Sequence, residues 1–157
     1  MNQNQRRQRQ SRQNQPEDDM QSVILDLARV TRVQRGGKRL RFRVCLGVGD
    51  GKGKIGIGIA KGPDVAGAVE KATRRAKKEL ITVPLTETNT ILHTIEIKYK
   101  AAHILLKPAP SGTGVKAGGV VRVLCTLAGI QNISAKLLGS NNKVTNAQAV
   151  IKSFKMF

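Results

Sequence analysis

The chain has 157 residues, enough for one medium-sized domain or two small ones. Its 28 Lys and Arg residues outnumber 10 Asp and Glu residues, and the formal net charge of +18 favours a polyanionic partner, nucleic acid first and an anionic membrane surface second. No apolar run approaches the roughly 20 residues that span a bilayer, and residues 1–15 lack the apolar core of a secretory signal. We therefore expect a nucleic-acid-binding protein with no membrane partner.

Aromatic and sulfur-containing side chains are scarce. With no Trp, one Tyr and three Phe, the chain is not expected to offer a platform of rings for base stacking, so contact with nucleic acid should be mainly to phosphates and groove shape. Cys45 and Cys125 indicate no disulfide framework and fit a reducing cytosol or an organelle matrix. Both are predicted to be small buried hydrophobes.

The first half of the chain predicts a tail followed by a β-β-β-α domain. Residues 1–22, rich in Gln and Asn, predict a disordered tail, which is either a basic arm that orders on RNA or a solvated segment. Residues 23–84 predict three strands, with a bulge in the first near Ala28. The three predicted strands are residues 23–33, 41–48 and 54–59.

A helix should complete this domain. Pro63 is expected in its first turn, and Asp64 should complement the positive end of its dipole. Gly56 and Gly58 share one face of the third strand, where a close approach by another element is expected. The predicted apolar stripe of the helix consists of Val65, Val69, Ala72, Ala76 and Leu80.

Residues 85–157 predict a second α+β domain of the pattern β-β-α-β-α, joined to the first near Pro84. Gly129 is expected to stop its first helix, and a capping box at residues 145–148 should open its last helix. Each domain is expected to have its own small core. The predicted strands are residues 90–99, 102–107 and 133–138, and the first helix is residues 118–128. The inner face of the last helix should comprise Ala147, Val150, Ile151 and Phe154.

Two glycine-rich segments invite a phosphate-binding interpretation. Residues 51–56 match G-x-G-x-x-G, but they lie between two strands rather than before a helix, so a dinucleotide site is not expected. The prediction is a tight hairpin whose Lys52 and Lys54 contact RNA phosphate, the alternative being solvated lysines. Residues 112–119 run into a helix start, which predicts either a phosphate cradle or a turn shaped only for packing.

Groups suited to catalysis are few. His93 and His103 lie in extended segments with no acidic group at a sensible spacing, and no Cys/His cluster has zinc spacing. Asp50 and Asp64 are explained by a turn and a helix start. We therefore predict no enzyme, no cofactor and no small-molecule substrate.

Four segments, in order and spacing, resemble the small ribosomal subunit protein five family of the bacterial type, the universal S-five family. They are residues 29–38, residues 48–56 continuing to Lys61, residues 108–119 with Arg122, and residues 127–130 with 138–140. The resemblance implies an α+β fold, with a double-stranded-RNA-binding-like β-β-β-α module followed by a β-α-β module with a left-handed crossover.

The resemblance also implies a function. It implies a structural constituent of the small ribosomal subunit that binds small-subunit rRNA, contacts incoming mRNA at the entrance channel and contributes to translational accuracy. The S-four and S-eight ribosomal proteins would be its neighbours, with Gly114 and Arg122 at the contact with the S-four protein. The candidate RNA-binding residues are Arg29, Thr31, Arg32, Arg35, Gly36, Gly37, Lys38, Arg39, Lys52, Lys54, Lys61 and Lys116.

Five positions depart from the family pattern: Ile57 and Ile59 replace aromatic residues, Ala60 replaces Gly, Lys143 replaces Pro and Gln148 replaces Arg. The rival hypothesis is a free double-stranded RNA-binding regulator that works off the ribosome, since it shares the charge and the first module. A small nucleotide-using enzyme is a third class, which would require nucleotide-dependent stabilisation.

Overall fold

The computed structural model describes residues 20–157, so residues 1–19 of the predicted tail lie outside the described residues. Gln21 and Ser22, assigned to the tail from the sequence, belong to the first strand. The elements in chain order are β1 (Gln21–Gln34), β2 (Gly37–Gly49), β3 (Lys54–Gly62), α1 (Val65–Lys78), β4 (Ile81–Thr82), β5 (Ile95–Tyr99), β6 (Ala102–Pro108), β7 (Val115–Lys116), α2 (Gly119–Leu127), β8 (Ile133–Leu137) and α3 (Lys143–Phe154).

These elements form two four-stranded sheets. The first has the order β1-β2-β3-β4 and is antiparallel throughout. The second has the order β5-β6-β8-β7, in which β7 and β8 are parallel and connected through α2. This confirms the predicted α+β class, with a β-β-β-α module followed by a β-α-β unit. The two-residue strands β4 and β7 were not predicted.

Helix α1 covers one face of the first sheet. Val44, Leu46 and Val48 alternate onto that face and are buried against the helix. The predicted close approach at Gly56 and Gly58 is confirmed, since a Cβ atom on Gly56 would lie 2.5 Å from the carbonyl oxygen of Ala76, and one on Gly58 would overlap the carbonyl oxygen of Ala72. The buried residues of the helix are Ala68, Ala72 and Ala76.

Two predictions about α1 were wrong in detail. Ala68 is fully buried but was not included in the stripe, whereas Val65 and Val69 are only partly buried. Pro63 precedes the N-cap rather than lying in the first turn. Asp64 is the N-cap, and its carboxylate accepts the N–H of Ala66 at 3.1 Å.

The opposite face of the first sheet packs against the second module. Cys45 and Ile55 belong to the same buried cluster as Ile104 and Leu124, so the prediction of two separate small cores was wrong. The close contact depends on Gly49 in β2, because a Cβ atom there would overlap the backbone carbonyl of Leu127. The larger core therefore lies between the modules and holds them together.

Element boundaries account for the remaining corrections. The bulge in β1 lies between Ile24 and Asp26, not at Ala28. Helix α3 is capped by Asn142, whose side chain accepts the N–H of Val144, so the capping box at residues 145–148 was wrong. The predicted buried face of α3 is confirmed. Gly129 has a φ of 82° just after α2, as predicted for a residue that stops a helix.

No helix among residues 20–157 combines the length and the apolar character needed to cross a membrane.

We predict that Gly58→Ala lowers the free energy of unfolding by about 2–3 kcal/mol, because the new methyl group forces α1 away from β3. The matched control is Gly67→Ala, within α1, where an added Cβ meets no atom within 4 Å. Helix propensity alone should make that variant about 0.5–1 kcal/mol more stable. Urea unfolding of the two variants checks the difference, and equal stabilities would contradict the close packing at Gly58.

Candidate nucleic-acid interface

Strands β1 and β2 extend beyond the rest of their sheet. The pairing of β2 with β3 ends at Phe42, whereas its pairing with β1 continues to Gln34 and Gly37. Residues 30–41 therefore form a two-stranded hairpin, here called the arm, in which every residue from 31 to 41 is exposed. Gly37, with a φ of 144°, closes the predicted hairpin tip.

One face of the arm is cationic. Directly paired residues of an antiparallel ladder project to the same face, and the pairs here are Arg32 with Arg39 and Val30 with Arg41. Lys61 of β3 joins this face at the base of the arm. Together these side chains line a groove of about 250 Å³, here called the arm groove. Its lining residues are Val30, Thr31, Arg32, Gln34, Arg39, Arg41 and Lys61, which include no carboxylate.

The other face of the arm is different in character. Val33 pairs with Lys38 and Thr31 with Leu40, and the side chains of Val33 and Leu40 are 74% and 48% exposed. Arg29, opposite Phe42, lies on this same face. The predicted RNA-binding residues of the hairpin are therefore divided: Arg32 and Arg39 face the groove, Arg29 and Lys38 face away from it, and Arg35 and Gly36 form the turn.

The sequence prediction missed Arg41 and Gln34, which also line the arm groove. The signal for Arg41 was present, because Arg39, Arg41 and Arg43 alternate with apolar residues along β2 and so share a face. Arg43 itself is already paired, with its guanidinium 3.2 Å from the carboxylate of Asp26.

Lys52 and Lys54 lie at the opposite end of β2, in a loop that docks on the end of α2; we call residues 50–54 the joint. The N–H groups of Gly51 and Gly53 donate to the carbonyl oxygens of Leu127 and Ala128 at 3.0 and 2.9 Å. The N–H groups of Lys52 and Lys54 both donate to the carboxylate of Asp50, at 2.8 and 2.9 Å.

The joint explains the G-x-G-x-x-G motif without a nucleotide. All four N–H groups of residues 51–54 donate within the protein, so none is free to cradle a phosphate. Gly51 and Gly53 have φ values of 68° and 102°, and Gly56 lies against α1. Lys52 and Lys54 are exposed, and their contact with RNA phosphate stays a prediction.

The second glycine-rich segment lies at the same end of the molecule as the joint. Gly114 is exposed with a φ of 71°, and its N–H donates to the side-chain oxygen of Asn132 at 3.2 Å. Lys116 lies in β7 and Arg122 in the first turn of α2, both exposed. A groove of about 450 Å³ lined by Gly51 and Val115, among others, connects this segment with the joint.

The described residues provide no arrangement suited to catalysis. The expectation that no acidic group has a sensible spacing from His103 was wrong, because the carboxylate of Glu96, on the adjacent strand, lies 2.6 Å from its Nε2. This pair lies on the exposed face of the sheet. His93 packs edge-on against Phe157. No group of three or more metal-binding side chains occurs within residues 20–157.

Both cysteines are fully buried, as predicted. Burial raises the pKa of the Cys45 thiol to about 11, with a further contribution from the nearby Asp26 carboxylate, and raises the pKa of Cys125 to about 12. The thiols therefore stay protonated in the folded chain, and thiolate formation favours the unfolded chain as the pH rises above about 9. Neither is suited to act as a nucleophile.

Comparison with known proteins gives two family matches. The model "Ribosomal protein S5, N-terminal domain" matches residues 20–84, and "Ribosomal protein S5, C-terminal domain" matches residues 97–156.

Individual relatives agree with these matches. The chain is 46% identical over 145 residues to the small ribosomal subunit protein uS5c of Porphyra purpurea, covering 92% of this chain and 83% of the relative. It is 45% identical over 142 residues to uS5c of Cyanidioschyzon merolae, covering 90% and 93%. It is 48% identical over 135 residues to uS5 of Gloeobacter violaceus, covering 86% and 60%. The chain belongs to the ribosomal protein S5 family, whose members are structural components of the ribosome rather than enzymes.

Proposed function

We propose that this chain is a structural constituent of the small ribosomal subunit, on ribosomes of the cytoplasm or of an organelle, and that it binds small-subunit rRNA through the arm groove. The observation that carries the proposal is the groove itself, in which Arg32, Arg39, Arg41 and Lys61 line one surface without a carboxylate. Membership of the ribosomal protein S5 family supports the assignment to the small ribosomal subunit, and the arm groove supports the proposed contact with rRNA.

The arm groove suits a sugar-phosphate backbone. Guanidinium groups donate two parallel hydrogen bonds to a phosphate, and each neutralised phosphate releases condensed counterions, which favours binding. The strands of the arm pair continuously from Val30 with Arg41 to Gln34 with Gly37, so the cations on this face are positioned by the backbone ladder before RNA binds. Phosphate contacts of this kind fix the position of a protein on RNA without reading its sequence.

The opposite end of the molecule is proposed to serve decoding. Lys52, Lys54 and Arg122 are exposed around the joint and the start of α2, where they can face incoming mRNA at the entrance channel. Gly114 and Arg122 are proposed to lie at the contact with the S-four protein, with Lys116 contacting RNA nearby. The S-eight protein is proposed as a further neighbour on the body of the subunit.

We predict that the double variant Arg32→Ala, Arg39→Ala weakens binding to an rRNA fragment from the junction of head and body. Loss of two phosphate contacts should make the slope of log K against log salt shallower by about 2. The control is Lys98→Ala with Lys136→Ala, which removes the same charge from the exposed face of the second sheet. A flat salt dependence for the parent chain would overturn the phosphate-binding mode.

A sucrose-gradient experiment separates the ribosomal role from that of a free RNA-binding regulator. We predict that the chain cosediments with small subunits in near-stoichiometric amount, and that it stays with them when excess double-stranded RNA is added. If the chain sediments mainly as free protein or with unrelated RNA, the regulator hypothesis replaces the ribosomal one.

We predict that Arg122→Glu changes the misreading rate several-fold while leaving the yield of small subunits unaltered, because it reverses a charge at the proposed protein contact. The matched control is Lys98→Glu, since β5 lies at the edge of the second sheet farthest from β7. Gly114→Asp should act in the same direction as Arg122→Glu. A stop-codon readthrough reporter checks this, and equal rates in the parent and in both variants with intact assembly would count against the assignment.

A further inference from the structure

An open cleft lies beside β3, away from the arm tip and the joint. Within the described chain, the outer edge of β3 pairs only at Lys54 and Ile55, with β4. Helices α1 and α3 lie on the two sides of the remaining edge and leave a cleft of about 480 Å³ between them. The cleft is lined by Ile57, Gly58, Ile59, Arg75, Glu79, Tyr99, Gln148, Ile151, Lys152 and Lys155.

The cleft combines an apolar floor with a cationic rim. Ile57, Ile59 and Ile151 provide the floor, and the single tyrosine of the chain, Tyr99, provides a flat aromatic wall. The ammonium groups of Lys100 and Lys152 each lie 5.4 Å from the centre of the Tyr99 ring. Cation–π contacts are weak at exposed positions, so RNA phosphates would attract both flexible lysines away from the ring and leave it open to a base.

The polar groups of the rim are suited to different parts of a nucleotide. Arg75, Lys152 and Lys155 carry positive charge toward the cleft, whereas Glu79 is the one carboxylate among the lining residues. Gln148 carries both a donor and an acceptor, which can pair with the edge of a base.

A cationic surface connects this cleft to the arm groove. A shallower concavity of about 320 Å³ lies between them and is lined by Arg41, Lys61, Lys71 and Arg75, together with Ile59 and Ala60. It shares Arg41 and Lys61 with the arm groove and Arg75 with the cleft. Positive side chains therefore follow one another along the outer edge of β3 from the arm to Tyr99.

We propose that the cleft binds an unpaired nucleotide of an RNA strand whose backbone follows this cationic surface. The base lies against Tyr99 and the isoleucine floor, and the adjoining phosphates bind Lys152, Lys155 and Arg75. Stacking on an aromatic ring together with phosphate neutralisation is the general mode by which proteins hold single-stranded RNA. The cleft volume is within the range of ligand pockets that enclose a small molecule.

An extended acidic peptide fits the cleft less well. A peptide that added a strand to β3 would need the free carbonyl groups of its edge, but the carbonyl oxygen of Ile59 already accepts a hydrogen bond from Arg75 at 2.6 Å. An acidic side chain would also make no use of the flat wall formed by Tyr99. The geometry therefore favours a base over a carboxylate.

The test uses Tyr99 itself as the reporter. Because the chain contains one Tyr and no Trp, its tyrosine emission reports on this cleft alone. The full chain is titrated with a short single-stranded oligoadenylate, with an abasic RNA of the same length and charge, and with an oligoglutamate. We expect saturable quenching with the oligoadenylate and little change with the abasic RNA or the peptide.

Substitutions in the cleft test which side chains contribute to the binding of the oligoadenylate. Measured by anisotropy of a labelled oligoadenylate, Tyr99→Ala should weaken binding roughly tenfold, as expected for the loss of one stacked base, whereas Tyr99→Phe should retain affinity within about twofold because the ring remains. Lys155→Ala should weaken binding several-fold. Lys136→Ala, which removes the same charge from the exposed face of the second sheet, should not. Unchanged urea midpoints show that the variants remain folded.

Three outcomes would overturn the proposal: equal quenching by the abasic RNA, equal quenching by the oligoglutamate, or unaltered affinity in Tyr99→Ala. The cleft and the arm groove are both proposed to bind RNA, but they have no lining residue in common. The proposal for the cleft and the proposal for the arm groove can therefore fail separately. The variant Arg32→Ala, Arg39→Ala should lose part of its salt dependence with the rRNA fragment while keeping the Tyr99 quenching by the short probe.

Discussion

The contact between the end of α2 and the strand β2 is the constraint on which the arrangement of the molecule depends. Residue 49 is glycine, and a Cβ atom at this position would overlap the backbone carbonyl of Leu127. The adjacent joint donates two backbone hydrogen bonds, one to the carbonyl oxygen of Leu127 and one to that of Ala128. A glycine at residue 129 is required by the same contact, because a Cβ atom there would overlap the carbonyl oxygen of Gly51. Backbone groups and small residues at this contact therefore act together with the larger core in fixing the two modules relative to each other.

Strand β2 connects the arm with the joint and so sets the distance between them. The strand has 13 residues, with the arm at one end and the joint at the other, and at the rise of an antiparallel strand it spans about 40 Å. The larger core packs against β2 at Cys45, between the arm and the joint, and it also contains Leu127 and Ala128, on which the joint docks. The proposed contacts with rRNA at one end and with decoding partners at the other therefore lie on one continuous strand that is anchored to this core.

Local patterns predicted the elements well, but they could not predict the contact that joins them. Alternation along β2 and β3 indicated which residues share a face of each strand. The absence of side chains at Gly56 and Gly58 predicted that another element approaches closely there. The role of Gly51 and Gly53 depends on the carbonyl groups of residues 127 and 128, more than 70 residues away in the chain, so their motif suggested phosphate instead. The cleft was missed for the same reason, since Tyr99 and Lys152 meet only in the folded chain.

The distribution of charge follows from how the fold uses its carboxylates. Asp64 caps α1, Asp50 accepts two N–H groups in the joint, and Asp26 pairs with Arg43. Glu70 and Glu96 pair with Arg74 and His103. Five carboxylates of the described chain are therefore engaged by neighbouring groups, while the cations of the arm groove, the cleft and the joint face outward. The positive charge of these outward-facing side chains is not neutralised within the described part of the folded chain. A bound polyanion therefore stabilises the folded chain in two ways: by mass action, and by reducing the repulsion between its positive charges.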